Sequence, residues 1–316
     1  MYISDRNALQ YASRMILVLV PFFSSWFNTW SWIVEILLLF AIFIHCRGSG
    51  VRLTAMLLAI GYLAAFIPAG GEILARIGFT PWAGIVFLGL KNRGMSTSHS
   101  MFWGLALVAL FSALPAAPVV QVALQPKALE VAIREVLDFY QQQGFLSSLE
   151  KQGMSPAEFE GVLRLAVPIY YKLLPAIAGI IGMLEFGIAY WTYSYSLKRV
   201  QRNTPFYLWQ LPWYAVWVAI IGLAAYLGGG YLGKSIIEIA GLNIMAMTAP
   251  VSMIMGFSCV SYFLKHPKMP RVFAIALIFA VAFFPFIVLA GLVMTGLFDL
   301  VFNFRKIPEK IEGGEQ

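Results

Sequence analysis

The chain has 316 residues, 60% of them hydrophobic and 12% charged, with a formal net charge of +7 and a mean hydropathy of +0.78. A soluble domain carries about a quarter charged residues, and its outer layer must meet water, so this composition excludes a soluble globule. Lipid satisfies no backbone hydrogen bonds, which leaves helices or a closed barrel. Barrel strands alternate apolar and polar residues, whereas residues 211–227 and 272–298 are continuous apolar runs. The composition therefore predicts an all-α polytopic transmembrane helix bundle.

Residues 1–14 carry Asp5, Arg6 and Arg14 ahead of an apolar run. No A-x-A cleavage site follows, so the segment reads as retained. Residues 15–46 are too long for one ordinary span and are interrupted by Ser24, Ser25, Asn28 and Thr29. They predict a hairpin of two short helices, with one strongly tilted helix as the alternative. About 20 apolar residues cross a hydrocarbon core near 30 Å thick. Runs at 51–68, 70–90 and 100–122 meet that length and complete an N-terminal membrane unit, 1–122.

Residues 123–164 are polar. Leu129, Ile133, Val136, Leu137 and Tyr140 recur at helical spacing, which predicts an amphipathic helix ending at Gly144. Ser155-Pro156-Ala157-Glu158 then reads as an N-cap, a first-turn proline and a capping glutamate. The interval is a short helical insert on the membrane or capping the bundle. The C-terminal membrane unit, 165–300, holds four long runs at 165–195, 206–227, 235–264 and 272–298. Pro168, Pro175 and Pro285 predict kinks, and Pro250 a break. Gly228-Gly229-Gly230 reads as a flexible turn, and 301–316 as a polar tail. The total is 8–9 spans with no internal repeat.

Lysine and arginine in short loops set orientation. Arg47 and Arg52, Lys91 and Arg93, Lys198 with Arg199 and Arg202, and Lys265, Lys268 and Arg271 form four basic loops. Alternating spans place all four on one side, expected to be the cytoplasm of a bacterial inner membrane. The insert then faces outward; its four basic and six acidic side chains leave a net charge of −2. If 272–298 crosses once, however, Arg305, Lys306 and Lys310 fall on the outer side, against the rule. The loops account for much of the positive charge without a nucleic-acid partner.

Charges inside apolar runs are expensive, which makes Glu35, Lys172, Glu185 and Glu238 the residues to examine. Lys172 and Glu185 lie 13 residues apart, about 20 Å along a helix, so each needs a partner from another span, water or a neutral protonation state; Glu35 is one candidate partner for Lys172. The functional reading is a polar ligand pocket or proton path, and the bland one is an interhelical ion pair or a snorkelling side chain. Asn243 has the same two readings, the bland one being a hydrogen bond between helices. The aromatic residues around 190–195 and 206–217 read as an interfacial belt or a stacking platform. Cys46 and Cys259 read as buried thiols. His45, His99 and His266 show no metal-ligand spacing, and no nucleophile elbow or phosphate loop occurs. No enzymatic activity, metal or cofactor is expected, and energy for any transport would come from a partner or an ion gradient.

The second half carries a recognisable succession. Residues 205–212 (PFYLWQLP) follow a basic loop, Leu242-Asn243-Ile244 and Met255-Gly256-Phe257 lie in a later span, and Gly296-Leu297-Phe298-Asp299 precedes Phe304-Arg305-Lys306. This resembles the YybS-like family of bacterial membrane proteins, with Gly256, Gly296, Asp299 and Arg305 as motif positions. The helix pattern is loosely similar to the S-components of energy-coupling-factor vitamin transporters and to MreD-like proteins of cell-shape machinery. The family has no established activity, and these likenesses concern fold, which alone does not carry function; one reading is a small-molecule-binding transport component that relies on a membrane-protein or ATPase partner. In that case Lys172, Glu185 and Asn243 should converge on one cavity. The other reading is a non-transporting scaffold or subunit of a larger membrane complex.

Overall fold

The computed structural model describes residues 2–24, 31–70, 78–151, 153–196, 205–265 and 271–307, and every regular element among them is a helix. The first apolar stretch is two helices, α1 (Tyr2–Ser24) and α2 (Ser31–Ser49), followed by α3 (Val51–Ala69). Arg14 of α1 donates to His45 and Ser49, near the end of α2, so α1 and α2 run antiparallel. Because Arg14 Nε donates to His45 Nε2 at 3.2 Å, the proton of that ring sits on Nδ1, which faces Thr54 Oγ1 at 2.9 Å.

The run expected at 70–90 is shorter than predicted within the described residues. It appears as α4 (Thr80–Asn92), 13 residues long or about 20 Å, short of a 30 Å hydrocarbon core. Helix α5 (Thr97–Ala113) continues through a 3-10 turn into α6 (Ala117–Ala123). Where α2, α4 and α5 meet the later bundle, Phe43, Phe87 and Phe186 pack edge to face, with ring centroids 5.4–5.9 Å apart.

The insert forms α7 (Pro126–Gln142) and α8 (Phe145–Lys151), packed on the first turns of α9 (Pro156–Ser196). The boundary expected at 164 therefore falls inside one 41-residue helix, about 60 Å long, twice what the bilayer needs. Ser155 and Glu158 make the capping box: Ser155 N–H donates to Glu158 Oε2 at 2.7 Å, and Glu158 N–H donates to Ser155 Oγ at 3.3 Å. Arg164 ties the insert down, bonding Glu130 of α7 at 2.5 Å and Glu160 at 2.8 Å. The Arg164 hydrogen bonds hold the Glu130 carboxyl below its usual range, and the backbone N–H and hydroxyl of Ser155 do the same for Glu158. Depressed folded-state values contribute stability above the ordinary carboxylate value and lose it as pH falls through the folded value. The distance between spin labels on Val131 and Val162 should therefore stay sharp down to about pH 4 and broaden below it. A distribution unchanged at pH 2 would contradict this.

Helices α10 (Val216–Tyr231) and α11 (Ser235–Lys265) form an antiparallel hairpin. Gly228-Gly229-Gly230 lies in the last turns of α10, not in the turn, which falls at 232–234. The reason is backbone contact: a Cβ on Gly229 would sit 2.3 Å from the amide nitrogen of Glu238, and one on Gly241 would sit 2.2 Å from that of Tyr226. The glycines let the two helices touch. Pro168, Pro175 and Pro250 all lie inside unbroken helices, each removing one rung of the ladder. Pro285 behaves differently. Phe284 leaves the helical region at φ −132°, ψ 52°, so the last run is two helices, α12 (Arg271–Phe283) and α13 (Pro285–Phe302).

This break corrects the single crossing expected at 272–298. A Cβ on Gly256 would meet Leu292 of α13, and one on Gly296 would meet Ser252 and Gly256 of α11. Farther along both helices Cys259 lies against Asp299, and Arg305 bonds Ser258. The two helices thus run parallel, and α12 must return alongside them. The start of the tail therefore lies at the same end of the bundle as Lys265, whose ammonium sits 4.3 Å from the Tyr207 ring centroid, and the breach of the charge rule disappears. Among the described residues, six helical segments are long and apolar enough to cross a membrane: Ser31–Ser49, Thr97–Ala123, Pro156–Ser196, Trp213–Tyr231, Ser235–Lys265 and Pro285–Phe302. The expected eight or nine spans thus meet six of full length, with Ala8–Phe23 and Val51–Ile67 as shorter apolar helices.

Candidate functional site

Among the four charged residues singled out from sequence, the structure joins Glu35 with Glu185. Glu35 projects from the first turns of α2, and Glu185, 6% exposed, from α9. Their side chains hydrogen-bond each other, and Glu35 also bonds Thr80. Thr80 Oγ1 lies 3.0 Å from Ser112 Oγ of α5, and the Tyr62 hydroxyl of α3 donates to Gly78 O at 3.0 Å. Five helices thus place oxygen atoms around one buried point. Two carboxyl groups in contact need at least one proton between them to avoid like-charge repulsion. Sequence reasoning paired Glu35 with Lys172 instead and overlooked Tyr62, Thr80 and Ser112. The available signal was Thr80-Pro81 at a helix start and a serine inside the apolar run of α5.

Lys172, Glu185 and Asn243 do not converge on one cavity as expected: none of them lines the cavity described below, and Lys172 and Asn243 meet, but not through the lysine side chain. Asn243 of α11, 4% exposed, accepts from Ala176 N–H at 2.7 Å and donates to Lys172 C=O at 2.7 Å. Those groups are the two halves of one i→i+4 rung of α9, beside Pro175. A proline ring pushes away the carbonyl four residues back and opens the ladder around it. The Asn243 amide bonds both halves of that rung and so braces α9 where Pro175 weakens its ladder. The Lys172 ammonium has no carboxylate partner among the described residues. Asn243→Leu keeps the volume but strands a buried N–H and C=O, and should lower stability by about 2–3 kcal/mol. Adding Pro175→Ala should recover part of that loss, because α9 regains its own N–H. A thermal midpoint unmoved by Asn243→Leu would refute the brace.

The motif positions Gly256, Gly296, Asp299 and Arg305 form a third centre. Arg305, 3% exposed, and Asp299, 1% exposed, make a forked contact: Arg305 Nε and Nη2 both donate to Asp299 Oδ2, at 2.9 and 2.7 Å. The remaining guanidinium protons go to Ser258 Oγ at 2.7 Å and to the carbonyls of Tyr207 at 2.9 Å and Trp209 at 2.8 Å. Asn303 makes this possible. It ends α13 in the left-handed region at φ 44°, turning the chain so that Arg305 points back at Asp299. Sequence reasoning identified these positions but not Ser258, which was one serine among many in an apolar run.

Between α5, α9, α10, α11 and α13 lies a cavity of about 290 Å³. Leu105, Met183, Leu211, Met247, Val251 and Leu297 contribute to its walls. The Thr248 hydroxyl there donates to Ile244 O at 2.7 Å. Ser252 is the other hydroxyl in the lining, and the remaining walls are apolar, so the cavity suits an apolar occupant. Met183 faces it from α9, two residues from Glu185, making α9 a shared wall between cavity and carboxyl pair.

Apolar outer surfaces, helices of membrane length and polar groups buried only against one another define a polytopic α-helical membrane protein. The chain belongs to the family described as "Predicted membrane protein (DUF2232)", which it matches over residues 15–300. No curated protein and no solved structure matches it.

Proposed function

We propose that the protein is a transport component of the bacterial inner membrane that takes an apolar small molecule or lipid chain into its own helix bundle. The observation that supports this reading is the apolar cavity between α5, α9, α10, α11 and α13. It is close to the size of small-ligand pockets, and its walls are apolar apart from Thr248 and Ser252. Energy comes from a membrane-protein or ATPase partner, or from protons exchanged at Glu35 and Glu185. Eight helices act as full passes once Ala8–Phe23 and Val51–Ile67 are included, with α4 and α12 as short legs. The carboxyl pair and Asn243 serve the bundle from outside the cavity.

A fluorescent polyene fatty acid tests this reading in lipid nanodiscs. The native chain should give saturable binding, and Val251→Trp, which fills the cavity, should lower it at least tenfold without losing the fold. Equal binding by both would remove the cavity from the account. The scaffold reading draws on one observation, the insert braced on the membrane-external turns of α9. Retention of a stable partner, lost on deleting residues 125–160, would favour it.

A further inference from the structure

At its basic end the cavity is closed by a segment that is neither a membrane helix nor a simple loop. Residues 205–215 run through two 3-10 turns, Phe206–Leu208 and Trp213–Ala215, with Pro205 and Pro212 preceding them. Leu211 and Ala215 face inward, line the cavity and belong to the same buried cluster as Met255 and Leu300. The segment is held mainly by its carbonyl oxygens. Arg305 donates to those of Tyr207 and Trp209, Ser258 to those of Phe206 and Trp209, and Ser98 to that of Gln210 at 2.5 Å. Three side chains from three other places in the chain therefore hold four carbonyls of one short stretch.

We propose that residues 205–215 form a hinged floor to the cavity, latched by Arg305, whose release opens the cavity toward the basic end of the bundle. The inference deepens the ligand-binding reading and rests on it for its purpose. Its energetics follow from where the ion pair sits. Dry, the Asp299–Arg305 pair is strong and must stay paired; wetted, an ion pair is worth little. A latch of this kind is therefore firm while the floor is down and weak once water enters. These hydrogen bonds from elsewhere in the chain reach only carbonyls, so they can be released without unmaking any helix, while the Tyr207 ring leaves Lys265 and the Tyr214 ring leaves Phe102 as the floor moves.

Ala215→Cys is the reporter, labelled with a membrane-impermeant maleimide in nanodiscs and counted by peptide mass spectrometry. Cys46, 3% exposed in the other half of the bundle, is the internal control. Labelling at position 215 should be slow in the otherwise native chain. It should be at least tenfold faster with Asp299→Asn and Arg305→Gln together, a pair of changes that leaves no lone buried charge, while Cys46 stays slow. An unchanged rate at position 215 would overturn the latch, as would equal acceleration at Cys46, which signals general unfolding. If the double variant does not fold, Ser98→Ala with Ser258→Ala should raise the rate about threefold, and no rise would overturn the proposal. The readout needs no ligand. Fast labelling together with absent fatty-acid binding would support the floor while removing the function proposed for it.

Discussion

Arg305→Ala should lower the unfolding free energy by about 3–5 kcal/mol, because it leaves the Asp299 carboxylate buried without its counter-charge. The same change frees the carbonyl of Tyr207 and one acceptor site on Ser258, and leaves the carbonyl of Trp209 to Ser258 alone. Asp299→Ala with Arg305→Ala should be more stable than Arg305→Ala alone, since no isolated charge remains. Denaturant titration in mild detergent measures both. If the single and double variants unfold together, the pair is not the buried unit that the geometry describes.

Gly296→Val should be nearly as damaging for a steric reason. A Cβ at that position would lie 1.9 Å from the carbonyl oxygen of Ser252, so α11 and α13 would have to separate by more than an ångström. Overpacking of this kind costs about 3 kcal/mol, and in lipid it also removes the close contact that drives helix association. Gly291→Val is the control on the same helix, because a Cβ there meets nothing within 4 Å; it should be neutral. Comparable losses at both sites would show that helix propensity, rather than the α11–α13 contact, sets the effect.

The parts legible in sequence were those carried by local chemistry. Continuous apolar runs gave the helical membrane class, the polar cluster at 24–29 gave the first hairpin, and Ser155 to Glu158 gave the cap and the start of α9. What escaped depended on a second helix. Pro175 and Pro285 look alike in sequence, yet Pro175 stays inside α9, where Asn243 bonds both halves of the neighbouring rung, while the chain breaks before Pro285. Gly228 to Gly230 resemble a turn until Glu238 is placed against Gly229. Glu35 found Glu185 rather than Lys172 because pairing depends on how α2 and α9 slide past one another, which no local pattern records. Asp299 and Arg305 were visible as positions, but their contact needs the left-handed turn at Asn303.

The parallel course of α11 and α13, with α12 folded back between their ends, underlies the latch, the cavity floor and the placement of the tail. Single cysteines at Arg93, Lys306 and Lys151 in a chain lacking Cys46 and Cys259 test it directly, with an impermeant maleimide applied to oriented vesicles. Positions 93 and 306 should label from the same face of the membrane and position 151 from the opposite face. Labelling of 306 from the face that exposes 151 would contradict the folded-back course of α12 and everything built on it.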